Sequence, residues 1–429
     1  MFGFANFLLL ALFAAAVFDL IFALAGGGGL RGALRGLWNT PHLLFGQQLT
    51  EWRLQLGRIL FAAGLAAYEI SVVFCNSMAR QNWAWVQGVM SPVLEWLAFL
   101  CFGAKILFGT RYTWRELLAG GALYFIARWV YFNSQNIWWI GIVVAVLAAK
   151  DVPLHRPLQV YFASGCAAMA VVLALHFAGI VAPDLTSERM GALRGTYGYG
   201  HPNTFGGLVF GLVLAYALLR AQKVRWVDCL LVFAVGVFLL VGPASRSAAL
   251  CTLALAVGLV FCRLRAGHSV PRWWPGTCAG MVGLTAAVSY LLPLLVIKVG
   301  PWNNDIGPAW LAKLDSLLTC RISLTWMAYR LLDVKIAGQV FNWPTVDNSF
   351  AFALFQFGPV VAALLGILFA AALWGHAKQG RRVEVCCLFA MLAYAYMEVQ
   401  PFHLTTNPTA LLLCGAVFAQ TSARWQKIE

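Results

Sequence analysis

Long apolar runs separated by short polar segments dominate the pattern along the chain. The runs that hold almost no charge are residues 2–25, 137–149, 160–181, 208–219, 229–241, 248–261, 284–297 and 350–373. A helix needs about 20 predominantly apolar residues to cross the hydrocarbon core of a membrane. Because backbone polar groups must be satisfied inside that core, the runs predict helices. The alternating pattern of a β-barrel is not visible. We therefore expect an all-α polytopic integral membrane protein.

Composition agrees with this expectation. The chain has 429 residues, of which 61% are hydrophobic and 11% charged, whereas a soluble domain carries about 25% charged residues. The first run lacks a basic leader and a cleavage site, which favours a retained span over a signal peptide. Eleven cysteines are scattered without metal-ligand spacing, so we interpret them as small core residues and predict no metal site.

The positive charges predict the topology. Basic clusters fall on every second connection between apolar runs, which the positive-inside rule assigns to the cytoplasm. About eighteen of the thirty Lys and Arg residues then lie inside, so the net charge of +14 reflects topology rather than nucleic-acid binding. The pattern predicts about thirteen spans, a cytoplasmic C-terminus and a single transmembrane domain over 1–429. It leaves one long external loop, residues 298–347, with a short amphipathic helix near 322–332 that folds onto the outer face.

One polar, glycine-rich passage interrupts the apolar pattern at residues 194–207, RGTYGYGHPNTFGG. Glycines permit close backbone approach, and Pro202 sets the chain before a new helix. Asn203 or Thr204 can cap that helix, and its N-terminus with Arg194 nearby favours an anion. The alternative is an ordinary capped turn whose Tyr and His side chains lie at the membrane interface.

Five further polar residues fall on the same external side, several of them at predicted span ends, where polar groups mark candidate sites. Arg246 precedes a helix in GPASRSA, although a lone boundary Arg is often a snorkelling anchor. Arg321 begins the loop helix, where a solvated charge is the simpler interpretation. Asp347 and Asn348 precede an apolar run, a position that also suits an N-cap. Glu398 stands at the end of a late span.

The order of these motifs resembles the bacterial O-antigen polymerase and ligase superfamily, especially its polysaccharide polymerases. GYGHPNTFG (198–206) and VDNSFAFALFQFG (346–358) are the most specific pieces, and the resemblance runs from about residue 194 to 407. It implies a fold of the membrane glycosyltransferase C class with one long external loop. It also implies glycan transfer from a polyprenyl-pyrophosphate carrier to a sugar hydroxyl, without a cofactor or metal. The ligases usually carry a His where this chain has Asp347, which favours a polymerase over a ligase-like transferase.

Transfer from such a carrier needs cations for the leaving pyrophosphate and a base for the acceptor hydroxyl. No aspartate-rich metal motif is visible on the outer face, so arginines would replace Mg²⁺, and without closely paired carboxylates we expect direct, inverting displacement. The residues we assign are Arg194, Arg246 and Arg321 for the pyrophosphate; Asp347, then Glu398, then His201 as base; and Tyr197, Tyr199, Asn203, Asn348 and Arg330 for binding substrate.

The expected partners are the polyprenyl-pyrophosphate-linked oligosaccharide and membrane lipid, with a chain-length regulator and a flippase as partner proteins. The expected place is the cytoplasmic membrane, with the active site on its outer side. A transporter or lipid-linked sugar flippase is an alternative, for which Asp19, Glu69 and Glu95 are the relevant intramembrane acids. A receptor or scaffold is the third, but would not require several boundary arginines.

Overall fold

In the computed structural model, the described residues are 2–26, 29–46, 50–181, 187–189, 192–297 and 307–418. Residues 298–306 of the predicted external loop and the predicted cytoplasmic C-terminus lie outside these ranges. The helices are α1 Phe2–Ala25, α2 Gly29–Asn39, α3 Glu51–Cys75, α4 Ala79–Asn82, α5 Ser91–Phe108, α6 Trp114–Ser134, α7 Ile137–Ala148, α8 His155–Phe177, α9 Pro202–Leu219, α10 Trp226–Val241, α11 Arg246–Leu264, α12 Trp274–Leu291, α13 Ala309–Leu317, α14 Arg321–Leu331, α15 Ser349–Phe352, α16 Pro359–Lys378, α17 Arg382–Met397 and α18 Cys414–Val417.

Two short antiparallel strand pairs accompany the helices. In the first, β1 (His42–Leu43) pairs with β2 (Arg111–Tyr112), and His42 lies opposite Tyr112. In the second, β3 (Ser187–Arg189) pairs with β4 (Ala192–Arg194), and Ser187 lies opposite Arg194. These strands are too short to form a sheet core, so the described chain is all-α in class.

Eight helices in the described ranges are long and apolar enough to cross a membrane. They are Gly3–Ala25, Glu51–Cys75, Val86–Phe108, His155–Phe177, Pro202–Leu219, Arg246–Leu264, Trp274–Leu295 and Pro359–Lys378. Three shorter apolar helices are Ile137–Ala148, Trp226–Val241 and Pro408–Val417. The expected all-α membrane class is confirmed, whereas the count of thirteen spans and the glycosyltransferase C-type fold stay predictions.

The chain divides into two compact units. Unit 1 takes in the described residues of Met1–Arg128, Ile140–Leu208 and Ala410–Glu429, and unit 2 those of Trp129–Trp139 and Val209–Thr409. In unit 1, α3 packs against α5 and α8. The Ser71 hydroxyl of α3 donates to the Ser91 carbonyl oxygen of α5 at 3.0 Å, and small polar residues of this kind join helices closely in membranes.

Unit 2 is built from paired helices: α10 packs with α11, α12 with α16, and α11 with α17. The loop helix predicted near 322–332 is present as α14, beginning at Arg321. After α14, the backbone around Ile336 and Gly338 comes very close to the backbone just before α16. A Cβ on Gly358 (φ +87°) would lie 2.1 Å from the Ile336 carbonyl oxygen, and one on Gly338 (φ +74°) would lie 2.0 Å from that of Gln356. Only glycine allows this approach, which explains the Gly358 that ends the VDNSFAFALFQFG motif.

Candidate functional site

The glycine-rich turn belongs to unit 1 and connects β4 to α9. The buried Arg194 guanidinium donates from Nη2 to Oδ1 of Asn203 at 2.9 Å. The Asn203 backbone N–H donates to Nδ1 of His201 at 3.1 Å. Because α9 begins at Pro202, His201 precedes the helix, and the predicted cap positions already lie inside its first turn. The side chains of the turn therefore hold its own backbone at the start of α9.

The two tyrosines of this turn differ in accessibility. Tyr197 is partly exposed, and its ring stacks on Phe205 with the centroids 5.0 Å apart. Tyr199 is 0% exposed, its ring also contacts Phe205, and its backbone pairs with Ser77. Burial raises the pKa of the Tyr199 hydroxyl. A fully buried ring cannot stack on a sugar, so the substrate-binding role predicted for Tyr199 does not fit its position. Tyr197 retains an accessible face.

In unit 2, Arg321 and Glu398 form a buried ion pair. Nη2 of Arg321 lies 2.6 Å from Oε1 of Glu398, and the two residues are 7% and 5% exposed. They come from the first residue of α14 and the C-cap of α17. Burial raises the pKa of the Glu398 carboxyl, while the Arg321 guanidinium opposes this shift. The late Glu and the loop Arg singled out in the sequence are therefore direct partners, 77 residues apart in the chain.

Every N–H group of the Arg321 guanidinium faces a protein acceptor. Nε donates to the Met397 carbonyl oxygen, and Nη1 to the Leu318 carbonyl oxygen and the Thr319 hydroxyl. Nη2 donates to Glu398 and to the Ser247 hydroxyl at 3.5 Å. A guanidinium has five such donors, so none is left for a phosphate in this arrangement. The pyrophosphate-binding role predicted for Arg321 does not fit, and a positioning role does.

Two serines complete the surroundings of Glu398. The Ser247 hydroxyl donates to Oε1 of Glu398 at 2.8 Å, and the Ser349 hydroxyl donates to its carbonyl oxygen at 2.5 Å. Both serines are buried. Neither was among the predicted site residues, although Ser247 stands inside SRSA and Ser349 inside DNSF. Their positions inside these two motifs are the sequence signal that would have predicted them as site residues.

Asp347 and Asn348 have separate tasks. Asn348 is the N-cap of α15: its Oδ1 accepts the backbone N–H groups of Phe350 and Ala351 at 2.9 and 3.1 Å, and its Nδ2 donates to the Ser289 hydroxyl at 3.2 Å. Asn348 is therefore a structural residue here and does not fit its predicted contact with substrate. The Asp347 carboxylate lies 4.0 Å from Nη2 of Arg321, and its side chain is 31% exposed. The N-cap role that was the alternative for Asp347 is filled by Asn348 instead.

The remaining predicted cations lie on the surface of unit 2. Arg246 is exposed and is the first residue of α11, directly before Ser247. It is therefore an exposed cation next to Ser247, whose hydroxyl donates to the Arg321–Glu398 pair. Arg330 is exposed on α14, with its guanidinium over the Trp326 ring at 5.3 Å. We refer to Arg321, Glu398, Asp347, Ser247 and Ser349 below as the polar cluster.

An apolar groove lies between α12 and α16 in unit 2. Its volume is about 720 Å³, within the range of small-molecule sites. Small residues form its floor, and Tyr290, Leu294, Tyr329 and Phe350 line one end. The Tyr290 hydroxyl donates to the Phe350 carbonyl oxygen at 3.2 Å, which ties α12 to α15 there.

Within the described residues, no group of three or more His, Cys, Asp and Glu side chains could hold a metal ion. The helices define the chain as an all-α membrane protein with a buried polar cluster beside an apolar groove. Comparison with family models, with curated proteins and with solved structures gives no match. The resemblance to the polymerase and ligase superfamily therefore depends on the sequence motifs alone.

Proposed function

We propose that the chain is a membrane glycosyltransferase that joins polyprenyl-pyrophosphate-linked oligosaccharide units into a surface polysaccharide. The observation that carries this proposal is the polar cluster, in which a buried Arg321–Glu398 pair stands 4.0 Å from the partly exposed Asp347. Four motifs that resemble the superfamily contribute to it: SRSA, the loop helix, DNSF and the late Glu. An ordinary lipid-facing bundle has no need of such a cluster.

Asp347 is the base in this proposal. Its carboxylate is accessible, whereas Oε1 of Glu398 already accepts from Arg321 and Ser247. The acceptor hydroxyl would give its proton to Asp347 as its oxygen bonds to the anomeric carbon, while the bond to the pyrophosphate oxygen breaks. Glu398 and Arg321 then position the base rather than react.

The leaving pyrophosphate needs an accessible cation. Arg246 meets this requirement in unit 2, because it is exposed at the first turn of α11, where backbone N–H groups also favour an anion. Arg194 and His201 belong to unit 1, and their expected roles, as a pyrophosphate ligand and as the third candidate base, stay predictions. Direct displacement with inversion, without a metal, is part of the same proposal.

The test uses the purified protein in vesicles with a lipid-linked oligosaccharide and follows chain growth as a ladder of products. We expect wild-type protein to form the ladder in the presence of a chelator, and Asp347→Asn to lower the rate at least about 100-fold, the usual scale for a general base. Asp333→Asn is the matched control, since Asp333 is an exposed carboxylate of the same loop. A full ladder from Asp347→Asn would place the base elsewhere, and no ladder from any lipid-linked glycan would refute the polymerase.

A transporter of lipid-linked sugar is the second candidate, and one observation favours it. Glu69 lies within α3 at 2% exposure, and its Oε2 has no hydrogen-bond partner among the residues that the structure describes. Buried acids inside membrane helices often serve transport. Transbilayer movement of a fluorescent lipid-linked sugar, abolished by Glu69→Gln in a protein that forms no ladder, would support transport instead.

A further inference from the structure

The short basic helix α2 follows the first candidate span almost directly. That span ends at Ala25, and α2 begins at Gly29, so α2 starts where the chain leaves the hydrocarbon core. Its 11 residues are too few to cross the core, which takes about 20 residues. Between Asp19 and Glu51 the sequence contains no acidic residue. A short, basic, amphipathic helix in this position suits the plane of the membrane surface.

The apolar residues of α2 form two neighbouring rows with different exposure. Ala33 and Leu37 are buried, and α2 packs against α1. Leu30, Leu34 and Trp38 are spaced by four residues, so they share one side of the helix, and all three are exposed. The buried row therefore attaches α2 to the span, while the exposed apolar row faces outward from unit 1.

A cationic row lies beside the exposed apolar row. Arg31 and Arg35 each follow a residue of the apolar row by one position, about 100° around the helix, and both are exposed. Asn39 continues this side, and Arg115 in the first turn of α6 donates from Nη2 to its Oδ1 at 2.6 Å. The Arg115 guanidinium also lies over the Trp38 ring, 5.9 Å from its centroid. The row thus places three arginines along about 12 Å of helix.

These arginines are available to an external anion. Among the residues that the structure describes, no carboxylate forms an ion pair with Arg31, Arg35 or Arg115. The positive-inside rule predicts the cytoplasmic surface for this segment, and anionic lipid gives that surface a negative potential. The cationic row therefore complements the charge of the surface on which α2 is expected to lie.

A soluble anion would satisfy the cationic row but leave the apolar row in water, whereas an anionic phospholipid satisfies both. Its phosphate matches the bidentate fork of an arginine, and its acyl chains surround the apolar side chains. From this arrangement we infer that α2 lies in the membrane surface and binds the head groups of anionic phospholipids such as phosphatidylglycerol. This interaction lies outside glycosyl transfer and does not depend on the proposed function.

Photolabelling of the full-length protein in phosphatidylcholine vesicles tests the inference. The two probes are trace phosphatidylglycerol and trace phosphatidylcholine, each with one diazirine near the head group, and labelled positions are mapped by mass spectrometry. We expect both probes to label α2, and phosphatidylglycerol to label it far more. An arginine at an anionic surface contributes about fivefold in affinity, so Arg31→Gln/Arg35→Gln should lower the ratio of the two labels about 25-fold. High salt should lower the ratio as well, because it screens exposed charges.

Arg263→Gln/Arg265→Gln is the matched control for net charge. It removes two exposed arginines from the end of α11, and the ratio of the labels on α2 should stay at the wild-type value. Both double variants should unfold within about 2 °C of wild type, since all four side chains are exposed.

The apolar row is tested separately by Leu30→Asn/Leu34→Asn, which should lower the α2 label from both probes severalfold because the helix loses its contact with the acyl chains. Three results would overturn the inference: equal labelling of α2 by the two probes in wild type, a wild-type ratio in Arg31→Gln/Arg35→Gln, or no label on α2 from either probe. Competition by glycerol phosphate in the buffer would also overturn it, since the site would then bind a free anion rather than a lipid.

Discussion

The Arg321–Glu398 pair is expected to be a large determinant of the stability of unit 2. In Arg321→Met, the Glu398 carboxylate stays 5% exposed in the parent geometry and loses its cationic partner, while the Ser247 hydroxyl still donates to it. Removing one partner of a buried ion pair costs about 3–5 kcal/mol, because the other charge is left buried. The carbonyl oxygens of Met397 and Leu318 lose their guanidinium donor as well.

The cost depends on the uncompensated charge, so a second substitution should recover much of it. Glu398→Gln keeps an acceptor for Ser247 and should cost less, about 1–3 kcal/mol. The double variant Arg321→Met/Glu398→Leu contains no buried charge at the pair, and apolar replacement of such pairs is often neutral. Glu398→Leu alone leaves the Arg321 charge buried and should also destabilise. We therefore expect the double variant to be more stable than Arg321→Met alone, which two additive destabilising effects cannot produce.

Thermal unfolding in detergent at one fixed heating rate measures these differences. For a unit of roughly 200 residues, 1 kcal/mol shifts the midpoint by about 2–4 °C, so Arg321→Met should unfold roughly 6–20 °C below wild type. Arg330→Met is the matched control, an exposed Arg on the same helix, and should stay within about 2 °C. If Arg321→Met also stays within that margin, or if the double variant is as unstable as the two single effects combined, the buried pair is not what stabilises this end of unit 2.

Three other changes test separate features by the same midpoint measurement. Gly358→Ala should destabilise the protein by about 2 kcal/mol or more, since its Cβ would meet a carbonyl oxygen at 2.1 Å. Gly375→Ala, the control, should not destabilise it. An unchanged midpoint in Gly358→Ala would contradict the close backbone approach. Asn348→Ala should cost about 1 kcal/mol through loss of the cap, and Asn348→Ser should recover part of it; equal midpoints for the two would argue against capping. Burial lowers the pKa of His403 to about 4 from 6.5, so as the pH falls through this window the unfolded chain gains a proton that the folded chain does not. About 3 kcal/mol of stability should be lost between pH 6.5 and 4, and less in His403→Phe; the exposed His268→Phe is the control, and identical pH profiles for His403→Phe and wild type would refute the assignment.

The sequence predicts helix type and position well because membrane helices satisfy their own backbone locally. The amphipathic spacing near 322–332 is enough to predict α14, and the break before 349 is enough to predict a helix start there. The pairing of side chains that are distant in the chain cannot be predicted in this way. Arg321 meets Glu398 across 77 residues, and no local pattern encodes that pairing. The sequence marks Glu398 as a costly polar group at a span end and Arg321 as the start of a loop helix, but it does not mark the two as partners.

Side-chain roles within a motif were also beyond local prediction. Asp347 and Asn348 are both good N-cap residues, and only the direction of the chain as it enters α15 makes Asn348 the cap. A tyrosine suits a membrane interface as well as a core, and local sequence does not predict that the Tyr199 ring packs on Phe205 and is buried where its backbone pairs with Ser77. The small residues of α12 and α16 are visible in the sequence, but they form a groove only because these two helices pack against each other.

The polar cluster forms where helices end. Its contacts with those helix ends determine which variant can separate a catalytic effect from a folding effect. The last carbonyl groups of a helix have no intrahelical partner, and Arg321 and Ser349 donate to such groups at Met397 and Glu398. Loss of activity after substituting these residues would therefore combine catalytic and folding effects. Asp347 differs, because its contact with Arg321 is 4.0 Å long and its side chain is 31% exposed. Asp347→Asn preserves shape and should unfold within about 2 °C of wild type. A large loss of polymer at an unchanged midpoint would then be a loss of chemistry.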